Sequence, residues 1–218
     1  QQACLVQASY QFRYGVFVRM TLVTGLRLGE VVGLRWCDID FYTNMLHVNQ
    51  TLNRLQRYDD DEADSKTEIV TQTPKSQNSI RSIPMLPDLV MDLQNWRTVQ
   101  MQDAAALGTA YFDSGLIATQ ENGLYVEPRL MREYYQKMLA TANLPNYNFH
   151  ALRHTFATRA MEQGMDAKTL SILLGHYSVG FTLDTYAHVL TDQKWTAMQT
   201  MANMYNMEPP LRQPIQFF

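Results

Sequence analysis

Six side chains in this sequence are of types that act together in group transfer at a phosphate, and none of them is a carboxylate. They are two arginines, a lysine, two histidines and a tyrosine: Arg27, Lys75, His150, Arg153, His176 and Tyr186. Arginine guanidinium groups match phosphate oxygens in bidentate geometry and keep their charge at any working pH. The set therefore indicates an anion site with hydrogen-bond donors and one hydroxyl nucleophile.

A tyrosine that acts as a nucleophile needs help from its neighbours. A free phenol has a pKa of about 10, so roughly one molecule in a thousand is ionised at pH 7. A histidine can accept the phenol proton, and a lysine or a second histidine can protonate a leaving alkoxide. Phosphoryl transfer without a metal has to take its charge stabilisation from fixed cations such as the two arginines.

Two histidines four residues apart, His150 and His154, also suit zinc binding on one helix face. The metalloprotease version of this spacing needs a glutamate directly after the first histidine, where this sequence has Ala151. In addition, Arg153 would place a permanent positive charge beside the metal. The pattern thus disfavours zinc, and for His154 taken alone the preferred interpretation is a structural core or capping residue.

The composition predicts a soluble, intracellular globular protein. Of the 218 residues, 46% are hydrophobic and 18% are charged, which provides a sizeable core and excludes wholesale disorder. No run approaches the roughly 18 apolar residues that a membrane span needs. The two cysteines, Cys4 and Cys37, lack CxxC spacing, so we expect a reducing compartment without a disulfide framework or a cysteine-built zinc site.

Charge is distributed unevenly along the chain, whose formal net charge is -3. Residues 54–68 carry six acidic and three basic side chains, whereas residues 129–159 carry five basic and one acidic. Binding to phosphates depends on the patch that faces them, so the net charge neither excludes nor indicates DNA. We expect the acidic stretch 57–66 to form a solvated loop that either points away from any bound duplex or is mobile.

Hydrophobic periodicity predicts a mostly α-helical chain with a small antiparallel β-sheet, an α+β fold. The predicted helices cover residues 10–23, 28–34, 87–107, 129–142, 150–163, 167–174 and 192–206. The predicted extended segments are a strand over 45–52, a hairpin over 67–84 with Lys75 near its turn, and a short strand over 116–118. Asp166 is expected to cap the helix 167–174, which Gly175 ends.

Four sequence boxes resemble the signature motifs of the tyrosine recombinase (phage integrase) family and occur in the family's order. They are TGLRLGEVVGLRW at 24–36, HALRHTFAT at 150–158, LLGH at 173–176 and TLDTYAHV at 182–189. The sequence is similar to those of integrases of conjugative transposons and temperate phages. The resemblance implies the DNA breaking-rejoining catalytic domain of this family as the fold.

The resemblance further implies a site-specific DNA recombinase that requires neither a metal nor ATP nor any other cofactor. Tyr186 would attack a DNA phosphate, forming a 3′-phosphotyrosyl intermediate and releasing a 5′-hydroxyl. A 5′-hydroxyl from a partner strand would then attack the intermediate and complete strand exchange. Arg27 and Arg153 would bind the non-bridging phosphate oxygens, and His176 would add a hydrogen bond to the same phosphate.

The same resemblance assigns the proton transfers, and the orientation of the arginine, to other residues. Lys75 would protonate the 5′-oxygen, and His150 would either handle the proton of Tyr186 alone or share this work with Lys75. Glu30 would orient the arginine or the local backbone, while His154 is left as a structural residue.

Partners and organisation are likewise implied by the family. The partner would be double-stranded DNA that carries an attachment or recombination site. The protein would be a monomer without DNA and would form a homotetramer on DNA. No association with a membrane is implied. The location would be the bacterial cytoplasm, in association with the nucleoid. Because members usually carry an N-terminal core-binding domain, we interpret 1–218 as a catalytic-domain fragment. Residues 191–218, a C-terminal helix and tail, either exchange between protomers or pack on their own domain.

Two other functions fit the same residues. One is a type IB topoisomerase-like enzyme that relaxes DNA by the same chemistry. The other is a recombinase derivative that binds or regulates DNA without cutting it. Loss of one of the six groups would favour the second function, and all six are present.

Overall fold

The computed structural model describes residues 1–56, 67–72, 79–186, 198–202 and 204 of the chain. Its helices are α1 (Gln2–Ser9), α2 (Gly15–Thr24), α3 (Leu28–Gly33), α4 (Pro87–Leu107), α5 (Pro128–Thr141), α6 (His150–Glu162), α7 (Ala167–Leu174) and α8 (Val179–Thr185). Short 3-10 turns occur at Trp36–Asp38 and Gly108–Ala110, and residues 198–202 and 204 are helical.

The strands of the described residues form two small antiparallel sheets. They are β1 (Ile39–Asp40), β2 (Met45–Val48), β3 (Thr51–Gln56), β4 (Thr67–Gln72) and β5 (Arg81–Pro84). The first sheet has the order β1-β2-β5, and the second pairs β3 with β4. The predicted fold class, mostly helical with a small antiparallel sheet, is thereby confirmed.

The hairpin predicted over residues 67–84 is wrong. Its first half, β4, pairs with β3, whereas its second half, β5, pairs with β2 in the other sheet. Alternation of apolar and polar residues identifies a strand but not its partner, which depends on the faces that can be buried together. The predicted turn that contains Lys75 and the acidic stretch 57–66 lie outside the described residues.

Three further predicted segments differ from the structure by more than one residue. The strand predicted over 45–52 divides into β2 and β3, and the one predicted over 116–118 is replaced by isolated bridges at Leu116 and Thr119. The helix predicted over 10–23 begins only at Gly15, where a Cβ would lie 1.8 Å from the Ser9 carbonyl oxygen. Because the chain passes this close to the end of α1, it has to turn between the two helices.

Five helices match the sequence predictions to within one residue at each end, whereas α1 and α8 were not predicted. The bounds of α4 and α7 are those predicted, α3 and α6 each end one residue earlier than predicted, and α5 is displaced by one residue at both ends. Asp166 caps α7 by accepting hydrogen bonds from the backbone amides of Lys168 and Thr169, and Gly175 ends the helix in the left-handed conformation. Of the helix predicted over 192–206, residues 198–202 and 204 are described and helical.

Helix α2 runs through the centre of the larger hydrophobic core and packs against α1, α4, α5 and α6. Phe17 and Met20 on this helix are fully buried. A second, smaller core joins α6 and α7 and includes the ring of Tyr186. Among the helices that the structure describes, none combines the length and the apolar character needed to cross a bilayer.

The bend between α2 and α3 generates a stability prediction. Gly25 has φ 67°, and a Cβ there would lie 2.6 Å from Phe156 Cδ1 and 2.7 Å from Leu174 Cδ2. We expect Gly25→Ala to lower the free energy of unfolding by roughly 2–5 kcal/mol, because overpacking adds to the cost of a left-handed alanine. Gly115→Ala is the matched control: its φ is also 67°, but nothing lies within 4 Å of the added Cβ. Equal losses in urea unfolding of the two variants would contradict the role of packing.

Candidate active site

Three guanidinium groups from separate parts of the chain converge on the C-terminal end of α7. Their hydrogen bonds to successive carbonyl oxygens run from Arg81 Nε to Leu173 (2.6 Å), from Arg153 Nη2 to Leu174 (2.8 Å) and from Arg27 Nη2 to Gly175 (3.3 Å). The last carbonyls of a helix lack intrahelical partners and carry the negative end of the helix dipole. The end of α7 therefore satisfies its own carbonyls while it holds the three cations together.

A buried carboxylate, Glu30, links two of these arginines. Its side chain accepts two hydrogen bonds of 2.9 Å from the Arg81 guanidinium, and it also accepts from the backbone N–H (2.7 Å) and the Nη1 (3.0 Å) of Arg27. Burial raises the pKa of Glu30, but the hydrogen bonds and charges of Arg81 and Arg27 outweigh burial and leave the pKa below its ordinary value. Glu30 thus remains ionised and orients Arg27 through both its backbone and its guanidinium.

Arg81 was not among the site residues predicted from the sequence. It is 7% exposed, and along β5 buried and exposed residues alternate, with Arg81 and Ile83 on the buried face. A charged residue at an inward position of a short strand is a signal for a buried ion pair. This signal was obscured because the strand was assigned to the wrong hairpin.

Arg153 lies on α6 and is almost completely buried. Besides its bond to α7, it donates from Nη1 to the Gly25 carbonyl at 2.8 Å, which ties α6 to the bend that precedes Arg27. Burial, followed by the charge of Arg27, lowers the pKa of Arg153 to about 9. At neutral pH the guanidinium therefore keeps its proton, and its charge sits next to that of Arg27.

The phenol of Tyr186 follows α8 and is 3% exposed. Its oxygen lies 3.2 Å from Nδ1 of His154, whose ring meets the ring of His150 edge-on at a centroid distance of 4.8 Å. Burial raises the pKa of Tyr186, and the charge of Arg153 acts in the opposite direction. His154, interpreted from the sequence as structural, is thus the histidine in contact with the phenol; its spacing of four residues from His150 was the available signal.

His150 is the first residue of α6 and is exposed. Its pKa is lowered first by partial desolvation of the ring, one edge of which packs against His154, and then by the neighbouring charges of His154, Arg153 and Arg27. The ring is consequently neutral at pH 7 and can accept a proton.

His176 follows the glycine that ends α7, and it is 8% exposed. Burial, then the charges of Arg153 and Arg27, lower the pKa of His176 to about 4, so its ring is neutral at pH 7. Its Nδ1 lies 2.7 Å from the hydroxyl of Thr182 on α8.

The structure thus brings five of the six predicted site residues into one region around the end of α7, and the sixth, Lys75, lies outside the described residues. In the part of the chain that is described, no group of three or more histidine, cysteine, aspartate or glutamate side chains is placed to hold a metal ion. A region rich in guanidinium and neutral imidazole groups, with one carboxylate already bound by two arginines, is suited to binding an anion.

Known proteins resemble this chain in sequence and in fold. The model of the phage integrase family matches residues 2–193, so the chain belongs to the phage integrase family. A XerC-like tyrosine recombinase of Caldanaerobacter subterraneus subsp. tengcongensis is 35% identical over 185 residues, which cover 84% of this chain and 47% of the relative. The chain spans about half the length of the curated relatives it matches.

Two solved structures resemble the fold. The Tn1549 transposon integrase in complex with transposon right end DNA has a TM-score of 0.71 at 25% identity, covering 92% of this chain and 64% of that one. The catalytic domain of bacteriophage HP1 integrase has a TM-score of 0.53 at 19% identity, covering 97% of this chain and 93% of that one. The likeness to the second is one of fold alone.

The buried Glu30 generates a prediction for stability and its pH dependence. We expect Glu30→Gln to lower the free energy of unfolding at neutral pH by about 3–5 kcal/mol, because a buried ion pair is broken. Since the folded-state pKa lies below the ordinary value of 4.5, the stabilisation by Glu30 is complete above that value and is lost as the pH falls through the folded-state pKa. The difference between wild type and variant in urea unfolding should therefore shrink in acid.

Glu133→Gln is the control for this experiment. It removes an exposed ion pair with Arg129, 3.0 Å long, on the surface of α5. Such exposed pairs contribute at most about 1 kcal/mol. A Glu30→Gln variant as stable as this control, or a difference from wild type that stays constant into acid, would contradict the role given to Glu30.

Proposed function

We propose that this chain is the catalytic part of a site-specific DNA recombinase that cuts and rejoins DNA through a 3′-phosphotyrosyl intermediate. The observation that carries the proposal is the arrangement of a buried phenol, Tyr186, against His154 and within electrostatic range of Arg153. Membership of the phage integrase family and the similarity to named recombinases and integrases support it.

The phosphate is held by Arg27 and Arg153 in this proposal. A guanidinium has five N–H donors. Arg153 uses one N–H of Nη1 for the Gly25 carbonyl and one N–H of Nη2 for the Leu174 carbonyl, so its other N–H groups are left for phosphate oxygens. The Arg27 side chain is 38% exposed and is the arginine that an incoming phosphate meets first. Because both groups are already oriented by α7 and Glu30, little reorganisation is needed when charge develops in the transition state.

The phenol proton leaves through the histidine pair. As the Tyr186 oxygen attacks phosphorus, its proton passes to the ring of His154, which lies in hydrogen-bond contact with it, and His150 stands beside that ring at the surface. This revises the sequence-based role of His150, which becomes an outer partner in the proton route. The new O–P bond replaces the bond to the 5′-oxygen, and that oxygen takes a proton from Lys75.

Fixed cations supply the charge stabilisation, so the proposed reaction proceeds without a metal. The tyrosyl ester conserves the energy of the broken phosphodiester, so strand rejoining proceeds without ATP. In the reverse step a 5′-hydroxyl attacks the ester, and Tyr186 regains its proton.

We further propose that residues 1–218 form the catalytic domain of a longer recombinase. The 93% coverage of the HP1 catalytic domain and the 47% coverage of the XerC-like relative support this division. The partners of the full protein would be double-stranded recombination sites and three further copies on DNA. Residues 191–218 would then be the segment that either exchanges between neighbouring protomers or packs on its own domain.

The covalent intermediate is the decisive test. Incubation of the full-length protein with a nicked duplex carrying its recombination site should trap a protein–DNA adduct. We expect Tyr186→Phe to abolish the adduct, because the nucleophilic oxygen is removed, and EDTA to leave it unchanged. An adduct that persists in Tyr186→Phe would overturn the assignment of the nucleophile, and supercoil relaxation without junction formation would favour the topoisomerase alternative.

The proton route is tested by comparing the two histidines. We expect His154→Gln to lower the single-turnover cleavage rate by about 10²-fold, because glutamine can bond to the phenol but cannot accept its proton. His150→Gln, at the outer position, should have a smaller effect. If His154→Gln cleaves as fast as wild type while His150→Gln is slow, the proton passes directly to His150.

A further inference from the structure

The ring of His176 is held by two side chains of α8. The Thr182 hydroxyl lies 2.7 Å from Nδ1, and Phe181 meets the ring edge-on, with a centroid distance of 4.9 Å and an interplanar angle of 88°. Thr182 is completely buried and His176 is 8% exposed. The plane of the imidazole is therefore set by α8 rather than by the loop that carries it.

The hydroxyl of Thr182 departs from the usual behaviour of threonine in a helix. Thr185, one turn further along, donates to the carbonyl of Phe181 at 2.6 Å, which is the ordinary bond to the residue four positions earlier. Thr182 makes its side-chain hydrogen bond to His176 instead, and within the described residues no second one is found for its oxygen. A buried hydroxyl proton needs an acceptor, so the Thr182 hydroxyl is the donor and Nδ1 the acceptor.

This direction of the hydrogen bond decides where the neutral imidazole keeps its proton. With Nδ1 accepting, the proton resides on Nε2, on the opposite edge of the ring. Nε2 has no hydrogen-bond partner in the described part of the chain, and His176 lies within electrostatic range of Arg153 and Arg27. A ring protonated on Nδ1 would instead turn a lone pair toward any phosphate bound by these arginines.

Thr182 is also joined to the nucleophile. Its carbonyl oxygen accepts the backbone N–H of Tyr186 at 3.1 Å. One residue thus contacts His176 through its side chain and Tyr186 through its backbone.

We propose that Thr182 is a positioning residue, whose hydroxyl fixes His176 as the Nε2–H tautomer, directed at the phosphate and in register with Tyr186. The proposal deepens the proposed function and rests on it. Thr182 does not contact the DNA itself. By fixing the tautomer, it lets His176 donate a hydrogen bond to a non-bridging phosphate oxygen, whereas the other tautomer would direct a lone pair at that oxygen and repel it.

Two variants separate the hydroxyl from the shape of the side chain. Thr182→Val keeps the branched shape and removes the hydroxyl, whereas Thr182→Ser keeps the hydroxyl. We expect Thr182→Val to lower the single-turnover cleavage rate of the nicked duplex by up to about 10-fold. The loss is smaller than the roughly 10²–10³-fold cost of deleting a donor to a developing charge, because part of the His176 population still carries its proton on Nε2. Thr182→Ser should retain most of the rate. Thr185→Val, which removes a hydroxyl from the same helix, is the control for helix stability and should cleave as wild type.

The tautomer is measured directly in the protein without DNA. Histidine-selective ¹⁵N NMR, with the His176 signals identified by their loss in His176→Phe, should show Nε2 protonated and Nδ1 unprotonated in wild type and in Thr182→Ser. In Thr182→Val we expect a mixture of the two forms. A protonated Nδ1 in wild type would overturn the proposal, whether or not the protein cleaves DNA.

The cleavage assay distinguishes failure of this proposal from failure of the proposed function. If wild type forms no adduct, the proposed function fails while the NMR result still decides the hydrogen bond. If wild type cleaves and Thr182→Val cleaves equally fast, or if Thr182→Ser is as slow as Thr182→Val, the positioning role is overturned. In a His176→Phe background, Thr182→Val should lower the cleavage rate little further, because the effect of Thr182 passes through His176. If the rate falls by the same factor as in the wild-type background, the positioning role is contradicted.

Discussion

The architecture of the site depends on one electrostatic constraint: three buried or half-buried guanidinium groups have to share a small volume. Arg27, Arg81 and Arg153 would repel one another if they were held only by packing. The C-terminal carbonyls of α7 and the carboxylate of Glu30 offset this repulsion with direct hydrogen bonds. Three cations against one carboxylate leave the region positive, and that excess charge suits it to an anion.

The same constraint explains why the surrounding fold is arranged as it is. Helix α2 ends at a glycine so that the chain can turn closely past Phe156 and Leu174 and deliver Arg27 to the end of α7. Helix α6 carries Arg153 into the same place from the other side, and β5 brings Arg81. Each element is therefore positioned by a polar contact with one helix end as well as by its apolar face.

Helix α8 connects the proposed anion site to the proposed nucleophile, Tyr186. It begins just after His176, holds that ring through Thr182, and ends at Tyr186. The phenol packs in the small core between α6 and α7 and contacts His154. Helix α8 thus contacts both His176, the proposed donor, and the backbone of Tyr186, the proposed nucleophile.

Local features of the chain could be predicted from the sequence alone. The bounds of α4 and α7, the Asp166 cap and the ending at Gly175 follow from periodicity and capping, which act between residues a few positions apart. The family motifs likewise identified five of the residues that gather around the end of α7, but not Arg81. What only the tertiary structure decided was the pairing of β5 with β2, the burial of Arg81 against Glu30, and the contact of His154 with Tyr186. These contacts join residues far apart in sequence, and which partner each group meets depends on how the faces of several elements are buried together.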